Sequence, residues 1–272
     1  AFMKIANTKL INQSFSSAKS GELIEAILDN SQVKFGTNRS IETGISTMQS
    51  LSDLTDNTLS VLQTVERSEN GSLFMSKSGD LTFKSRHTTF PSSVAATFSD
   101  DGSDIPYLKV DYINDDNEIF NIISLQRLGG STKTSENAGS QAKYLIRTLS
   151  RTGLFNNTDT DVQDAADFLL GKFKDAIIRF DNLVVDITEQ STSNQNTILD
   201  RDVTDIIKVE LTPPGSGSPS QITANEIIDS ISYNITPDIF AVSYKLSNAD
   251  VQAFFRLDNT IFGVLDTDKL GY

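Results

Sequence analysis

The residues that could perform acid–base or nucleophilic chemistry are few in this sequence. It has no cysteine, which excludes thiol chemistry, and a single histidine, His87. Every imidazole-based triad or metal site would therefore have to be built around His87. This histidine is followed by Thr88 and Thr89 and belongs to no companion motif. We interpret it as a surface residue or the end of a strand.

The abundant carboxylates do not define a catalytic pair. Glu66 and Glu69 have helical spacing, but chance produces such pairs among 36 acidic residues. A glycosidase needs two carboxyls at a set separation in a cleft, one with a raised pKa, and we interpret Glu66 and Glu69 as a solvated helix face. The segment Asp100-Asp101-Gly102-Ser103-Asp104 offers the oxygen ligands that calcium favours but lacks the twelve-residue loop pattern. It is interpreted as a polar turn.

Nucleotide-binding and modification motifs carry little weight. Gly171-Lys172 falls inside a predicted helix without the upstream loop that binds phosphate. Asn70-Gly-Ser, Asn156-Asn-Thr and Asn234-Ile-Thr fit the glycosylation pattern, but such triplets are frequent in a chain rich in Asn and Thr. The sequence thus predicts no catalytic, cofactor-binding or metal-binding residue, and no cofactor.

Charge and composition disfavour two further classes. A net charge of -13 and a pI near 4.5 disfavour nucleic-acid binding, which needs clustered Lys and Arg. The apolar runs, such as those at 177–178 and 183–185, are far shorter than the roughly 20 residues of a membrane span. Trp is absent and Phe is the main aromatic residue, which favours packing over polar recognition. The composition is typical of a scaffold.

The first elements that must position these residues are two helices. Residues 21–30 have the apolar spacing of an amphipathic helix, with Ser20 as its N-cap. Asp56 or Asn57 can cap a second helix, which ends before Asn70-Gly71.

The following segments predict strands. Residues 72–76 and 80–84 form a hairpin in which Gly79 supplies the turn. Residues 108–112 and 119–127 are predicted to form a second hairpin across the polar residues 114–117. The type of the segment 144–151 stays open between helix and strand.

The second half combines one long helix with a β-rich end. The apolar stripe from Val162 to Phe173 predicts a helix that starts near Asp159 or Asp161. A strand with a bulge near Asp181-Asn182 follows it, and residues 189–196 and 212–219 are predicted to be loops. A strand at 203–211 and a hairpin of 227–235 with 239–246 complete the chain.

These elements predict an α+β fold of β-rich, hub-like modules, with barrel or sandwich strands and a few amphipathic helices. We expect a division into 1–90 (helices and a hairpin), 91–190 (a hairpin, the long helix and a strand) and 191–272 (a C-terminal β module). No internal repeat at a fixed period is present, which disfavours a solenoid or a propeller.

The order of short motifs along the chain resembles that of minor tail proteins and baseplate hub proteins of long-tailed bacteriophages. The resemblance covers nearly the whole chain, and its specificity lies in the order of the motifs. They are Ser20–Asp29, Ile41-Glu-Thr-Gly44, Leu59–Gln63, Glu69–Phe74, Gly79–Phe83, Ser140–Tyr144, Arg147–Leu149, Ala165–Leu170, Leu265–Thr267 and Leu270–Tyr272.

The resemblance implies a structural protein of the virion, located in the phage tail. In that family the protein forms a trimeric or hexameric ring that closes or extends the tail tube and carries fibres or a tip, so the expected partners are other tail proteins. The family usually has a further β-rich N-terminal portion, which implies that this chain is a fragment. No catalytic residue is transferred by the resemblance. Acidic walls in such a tube would let DNA pass without adhering, which we state as a hypothesis.

Two alternatives from other classes stay open. One is a receptor- or carbohydrate-binding module at the tail tip, which the absence of Trp and the presence of only six Tyr disfavour. The other is a tail-associated cell-wall hydrolase built on the carboxylates.

Overall fold

The computed structural model of the chain describes residues 2–86, 93–113, 119–176, 179–215, 221–249, 254–255 and 269–270. The helices are α1 (Phe2–Ala6), α2 (Ser20–Asp29), α3 (Thr58–Glu69), α4 (Ala138–Tyr144), α5 (Asp159–Phe173) and α6 (Thr192–Leu199). The strands are β1 (Gln13–Phe15), β2 (Ala18–Lys19), β3 (Arg39–Ile41), β4 (Thr47–Met48), β5 (Leu51–Leu54), β6 (Ser72–Met75), β7 (Leu81–Lys84), β8 (Ala96–Ser99), β9 (Ile105–Pro106), β10 (Lys109–Ile113), β11 (Ile122–Arg127), β12 (Thr132–Glu136), β13 (Thr148–Leu154), β14 (Arg179–Asp186), β15 (Ile206–Leu211), β16 (Ile222–Ile235), β17 (Phe240–Asn248), β18 (Phe254–Phe255) and β19 (Lys269–Leu270). The predicted α+β class is confirmed.

The chain folds into two compact units, each of which is built from separate stretches of the sequence. The first unit takes its described residues from 2–86 and 119–175, with β18 and β19. The second takes them from 93–113 and from 176–249. The segment 91–190, expected from the sequence to be one module, contributes residues to both units.

The first two predicted helices of the first unit are present, with one correction at a cap. Asn57 caps α3 as predicted, because its side chain accepts a hydrogen bond from the backbone N–H of Leu59 (2.9 Å), and the helix ends at Asn70, which has a φ of 56°. The prediction that Ser20 caps α2 is wrong. Lys19 takes the N-cap position, and Ser20 begins the helix because its hydroxyl bonds elsewhere in the core.

The apolar faces of α2 and α3 build the first core. Leu23, Ile24 and Ile27 of α2 are buried in the same cluster as Val61 and Leu62 of α3. Strands β3, β7 and β6 form a three-stranded sheet in the order β3-β7-β6. The predicted hairpin of β6 and β7 is confirmed, and Gly79 has a φ of +86° in its turn.

The long helix α5 covers a second, three-stranded sheet in the first unit. The order of this sheet is β12-β11-β13, with β11 antiparallel to β12 and parallel to β13. Val162, Ala166 and Leu169 of α5 are buried with Ile123 and Leu125 of β11, so the predicted stripe packs on the sheet. The segment of open type, 144–151, contains the end of α4 and the start of strand β13.

The predicted hairpin of residues 108–112 with 119–127 is wrong. Strand β10 pairs with β14, whereas β11 pairs with β12 and β13 in a different sheet. The expected turn at 114–117 lies outside the described residues. Alternation of polar and apolar side chains specifies a strand, but it does not specify the partner of that strand.

A seven-stranded sheet forms the second unit, in the order β10-β14-β17-β16-β15-β8-β9. The predicted bulge is confirmed, because Asp111 pairs with Asn182 and Tyr112 pairs with Phe180, which leaves Asp181 without a partner residue in the ladder. The predicted hairpin of β16 and β17 is also confirmed.

The prediction that residues 189–196 form a loop is wrong, because α6 occupies part of that segment. Ser191 caps the helix through a hydrogen bond that its hydroxyl accepts from the N–H of Asn194 (3.2 Å). Ile198 is the buried residue of this polar helix, and the hydroxyl of Tyr244 donates a hydrogen bond to its carbonyl (2.7 Å). A helix with so little apolar periodicity forms because its cap and its contact with the sheet stabilise it.

Candidate functional site

The pair Glu66 and Glu69 serves the fold, and the prediction that both face solvent is wrong. Glu69 is fully buried. Its carboxylate accepts hydrogen bonds from the hydroxyl of Ser20 (3.0 Å) and from the N–H groups of Ile45 (3.2 Å) and Ser46 (2.8 Å). These donors join the end of α3 to the start of α2 and to the loop before β4.

Glu66, one turn before Glu69 in α3, also binds a backbone group. Its carboxylate accepts a hydrogen bond from the N–H of Leu73 at 2.8 Å, which ties α3 to β6. Burial of the side chain raises the pKa of Glu66, and this hydrogen bond opposes the shift. A raised pKa is also a property of catalytic acids. The Glu66 carboxylate, however, is bound to a backbone N–H group of its own unit.

Two glycines allow the close approach around Glu69. A Cβ at Gly21 would lie 1.7 Å from the carbonyl oxygen of Glu42, and a Cβ at Gly44 would lie 1.8 Å from the hydroxyl oxygen of Ser20. Gly44 also has a φ of +80°, which favours glycine. We call Ser20, Gly21, Gly44, Ile45, Ser46 and Glu69 the Glu69 junction. Three of the sequence motifs quoted above meet there.

The acidic segment 100–104 is closed by its own hydrogen bonds, as expected for a polar turn. The carboxylate of Asp101 accepts from the N–H (2.9 Å) and the hydroxyl (2.7 Å) of Ser103, and these bonds lower the pKa of Asp101. The N–H of Thr212 donates to Asp100. Within the described part of the chain, no group of three His, Asp or Glu side chains is arranged to hold a metal ion. His87 lies outside that part.

The remaining motifs are placed as follows. Gly171 is exposed in the last turn of α5, and the residues that precede it from Asp159 onwards are helical. Asn70 forms the C-cap of α3 and accepts a hydrogen bond from Arg151 (3.3 Å). Asn156 is fully buried and donates to the carbonyl of Ser68 (3.0 Å). Of the three glycosylation-like triplets, only that of Asn234 presents an exposed asparagine.

An ion-pair cluster fixes the N-terminus of α5. Arg127 Nε lies 2.6 Å from Asp159 Oδ1, and both the hydroxyl and the N–H of Ser131 donate to Asp159 Oδ2. The hydrogen bonds from Ser131 and Arg127 lower the pKa of Asp159 to about 2. The cluster positions α5 on β11 and β12, and its contacts give the Asp159 carboxylate a structural role.

Two exposed apolar surfaces are the features best suited to binding. Leu145 and Ile146 stand next to each other between α4 and β13 and are 78% and 69% exposed. Tyr233, Ile235 and Ile239 are exposed at the end of the β16–β17 hairpin. Exposed apolar groups of this kind mark interaction surfaces when they cluster. Sequence reasoning missed both surfaces because apolar residues in predicted helices and strands are normally assigned to a core.

None of the helices in the described ranges is long and apolar enough to cross a membrane. The chain matches no protein-family model, and the search of curated proteins finds no similar sequence.

The chain is similar in structure to solved phage tail proteins. The 43 kDa tail protein of prophage MuSo2 from Shewanella oneidensis matches with a TM-score of 0.60 and 11% identity, over 92% of this chain and 72% of that one. A tail protein of Neisseria meningitidis matches with a TM-score of 0.60 and 9% identity, over 92% and 72%. The prophage tail protein gp18 of Listeria monocytogenes matches with a TM-score of 0.52 and 12% identity, over 92% and 70%. The resemblance to phage tail proteins is confirmed at the level of the fold.

Proposed function

We propose that this chain is a structural protein of a phage tail, a hub or minor tail protein at the distal end that organises the tail tip and the tube. The observation that carries the proposal is the shared fold, which spans 92% of the chain in each of the three tail proteins. The motifs at the Glu69 junction support it, because they have structural roles in this fold.

The proposal includes the location and the partners of the chain. It is a component of the virion, and it contacts the tube, distal tail, fibre or tip proteins. It assembles as a trimeric or hexameric ring around the tail axis. The exposed apolar side chains at 145–146 and 233–239 supply the surface that such an assembly needs.

Deleting the coding sequence from its phage tests the role. Electron micrographs of the lysate are expected to show heads without complete tails, because a missing hub stops tail assembly. Supplying the chain from a plasmid should restore complete tails. Infectious particles with normal tails in the deletion lysate would contradict the proposal.

The proposal assigns no reaction to the chain. A suspension of purified cell walls should keep its turbidity when the chain is added, whereas a tail-associated hydrolase would clear it. Binding of the isolated chain to host cells or to their surface polysaccharide would instead favour a receptor-binding module at the tail tip.

A further inference from the structure

The connector between α4 and β13 holds a strained backbone. Leu145 has a φ of 64° and a ψ of 174°, a conformation that residues other than glycine rarely adopt. The buried side chain of Asn121 fixes it from both sides. Its Nδ2 donates to the carbonyl of Leu145 (2.6 Å), and its Oδ1 accepts from the N–H of Arg147 (2.9 Å).

The strained conformation presents apolar side chains to solvent. Leu145 and Ile146, which we call the connector ledge, are the largest adjacent pair of exposed aliphatic side chains in the described residues. Their exposure means that they contribute little to the core of their own unit. Backbone strain is found at functional sites, and clustered exposed apolar groups mark interaction surfaces.

Basic residues outnumber acidic ones near the connector ledge, where Glu136 just before α4 and Asp175 beside Lys174 are the acidic neighbours. Residues 138–147 contain Lys143 and Arg147 and no acidic residue. The end of α5, with Lys172 and Lys174, is attached to the start of α4, because the hydroxyl of Ser140 donates to the carbonyl of Lys174. The whole chain carries a net charge of -13, so this local excess of positive charge fits an acidic partner.

The end of the β16–β17 hairpin has the complementary character. Residues 232–239, which we call the hairpin arm, are exposed on both faces of the ribbon. The arm carries Tyr233, Ile235 and Ile239, and Asp238 lies in its turn. No Lys or Arg occurs between 229 and 240. The arm is therefore apolar with a single negative charge at Asp238, whereas the connector ledge is apolar and is flanked by the positive charges of Lys143 and Arg147.

We propose that the hairpin arm of one copy of this chain docks on the connector ledge of a second copy. Ile235 and Ile239 pack against Leu145 and Ile146, and Asp238 faces Lys143. The two surfaces differ, so the contact is head-to-tail, the type that closes into a ring when its rotation allows. This inference deepens the proposed ring assembly and rests on it.

Disulfide trapping tests the contact directly, because the chain has no native cysteine. A tagged Ile235→Cys chain is mixed with an untagged Ile146→Cys chain under mild oxidation. We expect a tagged–untagged dimer on a non-reducing gel. The matched control pairs Ile235→Cys with Leu128→Cys, since Leu128 is another exposed aliphatic residue of the same unit. Equal trapping at Ile146 and Leu128, or no trapping at Ile146, would overturn the proposal.

Sedimentation velocity of the full chain measures the same contact without cross-linking. Asp238→Lys and Lys143→Glu should each raise the dissociation constant by about tenfold, and the two changes together in one chain should recover much of the loss. Leu145→Gly should also weaken association while the chain stays folded, because glycine adopts the backbone conformation at 145 without strain.

The outcomes separate this contact from the ring itself. If the chain associates and these variants do not change its affinity, the contact proposed here is wrong and the proposed ring stands. If the unmodified chain stays monomeric at every concentration, both the contact and the ring are wrong. The tail role is judged independently by the deletion lysate.

Discussion

At the scale of single residues, the buried Glu69 carboxylate is predicted to stabilise the fold. In Glu69→Gln, one of the acceptor oxygens becomes a donor that faces the donors of the Glu69 junction. We expect the free energy of unfolding to fall by about 1–3 kcal/mol, the cost of leaving a buried polar group unsatisfied. Urea denaturation measures it. Glu189→Gln at an exposed position should change the same quantity by less than about 0.5 kcal/mol.

Two helix glycines should respond to alanine in opposite directions. Gly21→Ala places a Cβ against the carbonyl of Glu42, so α2 or the loop must shift, and we expect a loss of about 1–3 kcal/mol of stability. Gly171→Ala meets nothing within 4 Å and should gain about 0.5–1 kcal/mol, because alanine favours the helix. Thermal denaturation of both variants gives the signs. A stabilising Gly21→Ala would show that the close approach is not a constraint.

Asp159 should give the stability a specific dependence on pH. Its pKa is about 2 in the folded chain, below the ordinary value of 3.8 for an aspartate. Because the folded pKa is the lower one, the carboxylate stabilises the fold above about pH 4, and this contribution is lost as the pH falls towards about 2. Denaturation curves at several pH values should show a weaker dependence in this window for Asp159→Asn. Identical slopes for the two proteins would contradict the assignment.

At the scale of elements, local signals predicted what local interactions determine. The apolar spacing of α2, α3 and α5 and the cap of α3 were sufficient, as were the turns at Gly79 and at 236–238, whereas the cap of α2 was predicted one residue too late. The partners of β10 and β11 were not predictable, because strand pairing depends on distant segments of the chain. The buried position of Glu69 has the same origin, since helical spacing cannot show what packs against the third turn of α3.

The connector ledge also illustrates what sequence patterns conceal. The sequence of residues 144–147 does not indicate that Leu145 has a positive φ. This conformation is imposed by the hydrogen bonds of Asn121, which lies more than twenty residues earlier. Exposure of the hairpin arm likewise depends on how far β16 and β17 extend past their neighbours. Both surfaces therefore emerge only from the assembled sheets.

The strain at Leu145 leads to a stability prediction for this connector. Leu145→Gly should raise the free energy of unfolding, at most by about 1–3 kcal/mol, because the side chain is exposed and the backbone strain is relieved. Asn121→Ala should lower it by about 1–3 kcal/mol, because the Leu145 carbonyl and the Arg147 N–H lose their buried partner. Guanidinium denaturation measures both. A destabilising Leu145→Gly would show that the leucine side chain supports the fold.

At the scale of the whole molecule, the net charge of -13 predicts that the chain does not bind DNA. A tail protein beside passing DNA should repel it, because binding to phosphates requires clustered cations that release counterions. We expect no change in the fluorescence anisotropy of labelled duplex DNA at physiological salt. Binding that weakens steeply as salt is added would contradict this account of the charge.

The fold is shared with the three tail proteins at 9–12% identity. The motifs that resembled tail proteins are short, and several are explained by the Glu69 junction and by the α5 stripe. Such positions define packing and close approach in this chain.

The central claim is that this chain is a structural part of the distal tail. An electron cryomicroscopy map of the phage particle that contains it tests the claim most directly. The account predicts density for the chain in a ring around the tail axis at the distal end. Mature particles that lack the chain, or that carry it only in the head, would contradict the account.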